Sequence, residues 1–98
     1  MIKHIVFWKL KDDNKEKNAE TIKERLESLA GKVPGLLKIE VGLDYSKTEE
    51  SADVALYSEF ESKEALRLYT EHPDHVAILP FVKDIRTERR VVDFELNG

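Results

Sequence analysis

The sequence predicts a small α+β domain, a four-stranded antiparallel sheet with its helices on one face. Two patterns carry this. Apolar residues concentrate or alternate with polar ones in four separate stretches, as strands require. Between the first and second stretches, and again between the third and fourth, apolar residues recur at helical spacing instead. The chain has 98 residues, which suits one hydrophobic core and leaves no room for a second. A single domain over residues 1–98 is expected.

Residues 2–10 give the first strand, rich in β-branched and aromatic side chains at Ile2, Ile5, Val6, Phe7 and Trp8. One face carries Ile2, His4, Val6, Trp8 and Leu10; the other carries Ile5 and Phe7 between Lys3 and Lys9. A strand that is apolar on both faces must be covered on both sides. Asp13 stands three residues before Glu16, an Asp-capped variant of the capping box. A helix to about Ala30 follows, with Ala19, Ile22, Leu26, Leu29 and Ala30 as its buried stripe. Gly31 suits its C-terminal end, and Pro34-Gly35 the turn beyond.

Residues 36–45 form the second strand, with Leu37, Ile39, Val41 and Leu43 alternating with Lys38 and Glu40. Ser46 to Ala52 is polar and reads as a mobile loop. In the third strand Val54, Leu56 and Phe60 alternate with Ala55, Tyr57 and Glu59. Ser62 can cap the next helix, whose face is Ala65, Leu68 and Tyr69. Pro73 interrupts that helix, because it lacks an amide hydrogen and disfavours the helical conformation at His72. It suits the first position of a new segment with the stripe His75, Ile78, Leu79 and Val82, which Pro80 ends or kinks. Residues 88–96 complete the sheet, with Val92, Phe94 and Leu96 on one face and Val91, Asp93 and Glu95 on the other. This order is the ferredoxin-like βαββαβ arrangement. The helices cover one sheet face, and a second copy of the chain is the simplest cover for Ile5 and Phe7 on the other, so a homodimer is expected.

Composition narrows the partners. The net charge is −4, and lysines and glutamates are interspersed, as in Lys15, Glu16, Lys17 and Glu20. Nucleic-acid binders need a basic stripe, and none is present. There are no cysteines, which excludes disulfides and thiolate chemistry. The N-terminus breaks its apolar run with charges, so neither a signal peptide nor a membrane span is expected, and the cytoplasm is the expected compartment. No Gly-rich phosphate loop, GxSxG elbow or HExxH pair occurs, and no cofactor is expected.

The chemistry candidates lie around the second helix. His75 sits on an apolar stripe, either as a buried histidine held by a hydrogen bond or as a general base. A helix N-terminus favours its neutral form and Asp74 opposes that, so the two influences leave its charge open. On one straight helix Tyr69 and His75 would stand ~240° apart, at ~100° per residue; they converge only if the helix breaks at Pro73. His4, Val6 and Trp8 share a strand face and would line the same cavity. A zinc site from His4, His72 and His75 is disfavoured, because Pro73 spoils the geometry of the close pair; His72 reads as a capping or surface residue.

Four stretches together resemble one family: Lys3-His4-Ile5-Val6-Phe7-Trp8-Lys9; Val33-Pro34-Gly35 with Val41-Gly42; Ala55 to Ser62 leading through Ala65-Leu66 to Tyr69-Thr70-Glu71-His72-Pro73-Asp74-His75; and Val91-Val92-Asp93-Phe94. The sequence is similar to the stress-responsive dimeric A/B barrel (Dabb) family across essentially its whole length. The resemblance implies a ferredoxin-like protomer whose sheet packs on a partner's sheet to form a barrel. A plant member of that family performs a cofactor-free aldol cyclisation, and its catalytic Tyr and His match Tyr69 and His75, with His4 matching a histidine near the site. The expected function is a cofactor-free lyase, cyclase or isomerase acting on a carbonyl compound, with a small apolar or aromatic carbonyl compound as the expected ligand. The apolar residues lining the plant member's pocket have no recognisable counterparts here, so its own substrate does not carry over. His75 would be the general base and Tyr69 the hydrogen-bond donor, in a cavity lined by His4, Val6, Trp8 and Leu79. The alternative is a non-catalytic ligand-binding or stress-associated barrel.

Overall fold

The computed structural model describes residues 1–97. The elements run β1 (Ile2–Leu10), α1 (Lys15–Glu27), β2 (Leu36–Leu43), β3 (Val54–Phe60), α2 (Lys63–Glu71), α3 (Pro73–Val76), α4 (Leu79–Ile85) and β4 (Arg86–Glu95). The strands form one sheet in the order β2-β3-β1-β4, and every neighbouring pair is antiparallel. This is the ferredoxin-like arrangement, with the second helical segment divided into three short helices. Among the described residues, no helix is long and apolar enough to cross a membrane.

The alternation in β1 decides which face meets the helices. Ile2, Val6, Trp8 and Leu10 are buried together with Val54, Leu56 and Phe60 of β3. Ala19, Ile22 and Leu26 of α1 pack onto them, and Leu29 and Val33 extend the same core. Each full burial of such a side chain contributes ~1.5–3 kcal/mol, so this one layer supplies most of the drive to fold. The end of α1 is also tied to the edge strand. The Glu27 carboxylate accepts the Val41 amide hydrogen at 2.9 Å, and Lys23 Nζ donates to the Val41 carbonyl at 2.7 Å.

Among the described residues, no helix covers the opposite sheet face. Ile5, Phe7, Ala55, Tyr57, Val92 and Phe94 lie there by register, and Phe7, Val92 and Phe94 are exposed in the protomer.

Several local expectations are corrected. Asn14, not Asp13, precedes α1; it takes a left-handed conformation (φ 55°) and makes no side-chain cap. Regular helix ends at Glu27, and tighter turns carry the chain to Ala30 before Gly31 (φ 78°) redirects it. In β2 the register shifts between Leu36 and Lys38, so Leu37 drops out of the buried row and is half exposed while Leu36 packs on the core. The strand itself stops at Leu43, which is exposed. Leu68 is exposed rather than part of the α2 face. Pro80 stands in the first turn of α4 and so opens a helix instead of ending one. The polar loop after β2 is tied by Asp44 accepting the Lys47 amide at 2.7 Å and by the Thr48–Ser51 hydroxyl contact at 2.9 Å. Strand β4 begins at Arg86, two residues before the expected start.

Gly31 and Gly35 both have positive φ, but only Gly35 is crowded: a Cβ there would stand 2.5 Å from the Cβ of Ala65. Gly31 has nothing within 4 Å. Gly31→Ala should therefore cost about 1–2 kcal/mol, the left-handed penalty alone. Gly35→Ala should cost clearly more, because the β2 entry must also move off α2. Urea denaturation of the two variants checks the order; equal losses would refute the packing account.

Candidate functional site

Ser62 begins the local construction of the site. Its Oγ accepts the Ala65 amide at 3.1 Å and caps α2. The helix then carries Tyr69 into the core, where the residue is buried against Phe60, ring centroids 5.0 Å apart. At His72 the backbone becomes extended (φ −63°, ψ 134°), and Pro73 occupies the first turn of α3. His72 Nδ1 accepts the Asp74 amide at 3.1 Å, so His72 acts as the cap of the new helix. This break reorients the next turn. The rings of Tyr69 and His75 come to 4.4 Å between centroids, inclined at 42°.

A cavity of about 360 Å³ opens beside this pair. His4, Val6, Trp8, Tyr69, His75 and Leu79, the residues singled out in the sequence, all line it. Among the described residues, no three His, Asp or Glu side chains converge as a metal site would require.

Two of the lining residues each carry a buried polar atom with no hydrogen-bond partner among the described residues, the Tyr69 hydroxyl and the indole Nε1 of Trp8. Leaving such a group unpaired costs ~1–3 kcal/mol, and both belong to residues that line this one cavity. Burial pushes the Tyr69 phenol above its ordinary range, against a smaller opposing effect of Arg89, and keeps it protonated as a donor. His75 is shifted the other way. Burial lowers its pKa first; the Thr70 carbonyl opposes this, and electrostatic interaction with His4, Arg89 and His72 adds to the lowering.

The tautomer follows from the partner. His75 Nδ1 lies 3.2 Å from the Thr70 carbonyl oxygen, which can only accept. Nδ1 therefore carries the hydrogen, and the neutral ring keeps its lone pair on Nε2. His4 is held in the same manner, with Nδ1 donating to the Asp93 carboxylate. Its ring meets that of Tyr69 edge-on at 6.1 Å, so the three rings form one continuous polar-aromatic wall.

The sequence reading did not identify Leu26, Lys83, Arg86, Arg89 or Asp93 as part of this region. For Asp93 and Arg89 the signal was present. Both share the alternating face of β4 with Val91, opposite His4, Val6 and Trp8.

A sequence model of the stress responsive A/B barrel domain matches residues 2–96. A stress-response A/B barrel domain-containing protein of Arabidopsis thaliana is 32% identical over 99 residues, covering 95% of this chain and 37% of that protein. The chain thus spans little more than a third of that curated relative. Among solved structures, a dimeric protein of ferredoxin-like fold from Bacteroides fragilis NCTC 9343 is 36% identical. It superposes with a TM-score of 0.88 over 97% of this chain and 95% of its own. A dimeric ferredoxin-like protein from Thermobifida fusca is 26% identical, with a TM-score of 0.86 over 97% of this chain and 90% of its own. A hydroxynitrile lyase from Passiflora edulis, 18% identical at a TM-score of 0.83 over 98% of this chain and 93% of its own, shares the fold alone. The match over residues 2–96, together with this fold, places the chain in the stress-responsive A/B barrel (Dabb) domain family.

Proposed function

We propose that this protein is a homodimeric barrel enzyme that abstracts a proton from carbon next to a carbonyl, without a cofactor, in a lyase, cyclase or isomerase reaction. The observation that carries the reading is the stacking of His75, its Nδ1 held by the Thr70 carbonyl, against Tyr69, whose buried hydroxyl has no hydrogen-bond partner among the described residues. Nε2 takes the proton as the C–H bond breaks. The electron pair of that bond moves into the carbon–carbon bond of an enolate, and the carbonyl oxygen takes the negative charge. The Tyr69 O–H donates to that oxygen. The two pKa shifts diverge as the roles demand, since the base must be unprotonated near neutral pH and the donor protonated. Asp93 fixes the ring of His4 beside the pair, and Trp8 and Leu79 close the apolar side.

The test is hydrogen–deuterium exchange at the carbon next to the carbonyl of phenylacetone in deuterated buffer, followed by NMR. The protein should accelerate exchange, and His75→Ala should remove most of the acceleration, about 10²–10⁴-fold for a general base. Tyr69→Phe should slow exchange while leaving thermal stability unchanged or higher, because it deletes an unpaired buried hydroxyl. Exchange should increase with pH through a pKa below the usual histidine value and then level off, as the lowered pKa of His75 requires. Exchange at the solvent rate with and without the protein would instead favour a barrel that binds a ligand without transforming it.

Dimerisation is supported by the bare outer face of the sheet and by the dimeric state of the Bacteroides and Thermobifida relatives. Two such faces pack about 10 Å apart in face-to-face sheets, burying Ile5, Phe7, Val92 and Phe94. Sedimentation at micromolar concentration should give twice the chain mass. Val92→Lys should return the monomer, because it sets a charge opposite Ile5 at the centre of that face. A folded wild-type monomer would exclude the dimer.

A further inference from the structure

The cavity has a charged rim that the proton-transfer chemistry does not use. Lys83, Arg86 and Arg89 line it together with the apolar wall. None of the three has an ion-pair partner among the described residues. The chain as a whole carries −4, so three unpaired cations on one small cavity stand against the background charge.

Their placement depends on a backbone irregularity. Arg86 and Arg89 are three residues apart, and in a regular strand they would point to opposite faces. The β1–β4 register slips between Lys9 and Leu10: Lys9 pairs with Glu88 and Leu10 with Arg86, leaving Thr87 as the extra residue. The slip returns Arg86 to the helix-facing side, level with Leu10, while Arg89 stays on that side level with Trp8. Bulges re-aim side chains in this way and concentrate near active sites. Both arginines are thereby brought to the cavity that Tyr69 and Trp8 also line.

The geometry points to an organic carboxylate as the ligand of this cavity: an apolar, carbonyl-bearing body against Trp8 and Leu79, and a carboxylate held at the mouth by Arg86 and Arg89 with Lys83 beside them. The inference rests on the proposed reading of the same cavity and names its substrate class. A planar guanidinium meets a carboxylate with two parallel hydrogen bonds, which fixes orientation as well as charge. Anchoring the ligand at the rim directs its body inward, toward the Tyr69 hydroxyl and His75 Nε2. The cavity volume of about 360 Å³ fits a small ligand of this kind.

Trp8 is the single tryptophan of the chain and lines the cavity, so its fluorescence reports binding directly. The full-length protein is titrated with 3-phenylpropanoate and with the isosteric neutral 3-phenylpropanamide. The carboxylate should bind about tenfold tighter, the scale of one charge-assisted hydrogen bond, and the advantage should shrink in about 0.5 M salt by screening. Arg86→Gln and Arg89→Gln should each erase most of the preference while leaving amide binding in place. Lys32→Gln, remote from the cavity, should leave the preference intact, and melting temperatures control for folding. Equal binding of acid and amide would overturn the carboxylate assignment while leaving the pocket itself standing. A preference that survives in both arginine variants would overturn the assigned anchor. No response of Trp8 to either compound up to ~10 mM, a Kd too weak for a small-ligand site, would overturn this inference and the ligand pocket together.

Discussion

Strand β1 is hydrogen-bonded to β3 along one edge and β4 along the other, and both its faces are apolar at mid-strand. That double demand organises the rest of the protein. The Ile2, Val6, Trp8 and Leu10 face requires the helical layer, and the Ile5 and Phe7 face requires a second covering layer. His4 lies on the helix side of this most constrained strand. Its carbonyl is held by Ser58 Oγ at 2.8 Å, and Ser58 is itself fully buried. The floor of the cavity therefore belongs to the part of the fold least able to move, which is where a geometry accurate to fractions of an ångström can be kept.

The wall opposite is made by interrupting a helix. Tyr69 stands in the last turn of α2 and His75 in the single turn of α3, and the extended backbone at His72 folds the second against the first. Continuous helix would bury more regularly but would separate the two side chains. The molecule instead accepts a break at Pro73 and two unpaired buried donors, each unfavourable by itself. These local rules are broken together at one place, while the surrounding layers obey them.

The element order, the two strand faces of β1, the cap at Ser62 and the break at Pro73 were all legible in the residues, because each follows from periodicity or from one residue's covalent limits. The misreadings have a common physical origin in single-residue choices that periodicity does not encode. Adjacent Asp13 and Asn14 both suit a helix start, and the left-handed conformation open to Asn decided for the second. Alternation in β2 placed Leu37 with Ile39, but one extra residue in the ladder put Leu36 there instead. Pro80 has the same chemistry whether it ends a helix or opens one. At the candidate site, the aromatic and histidine wall was readable from spacing and resemblance. Of the arginine rim, Arg89 followed the alternation of β4, but Arg86 did not, since the slip at Thr87 returns it to that face against the two-residue period of a strand.

The rim and the wall are coupled through charge. Arg89 acts on both members of the proposed pair, lowering the pKa of His75 and working against the burial that raises Tyr69. In the free protein this adds to the lowering that burial causes first at His75, which favours its neutral form and makes it a weaker base. A carboxylate seated on Arg89 cancels part of that field. His75 then becomes more basic and Tyr69 more firmly protonated, so both groups move toward their assigned roles when the ligand arrives. The same linkage works in reverse, because a proton bound to His75 and a carboxylate bound at the rim favour each other. On the proposed reading, the strength of His75 as a base would therefore depend on whether the anion site is occupied.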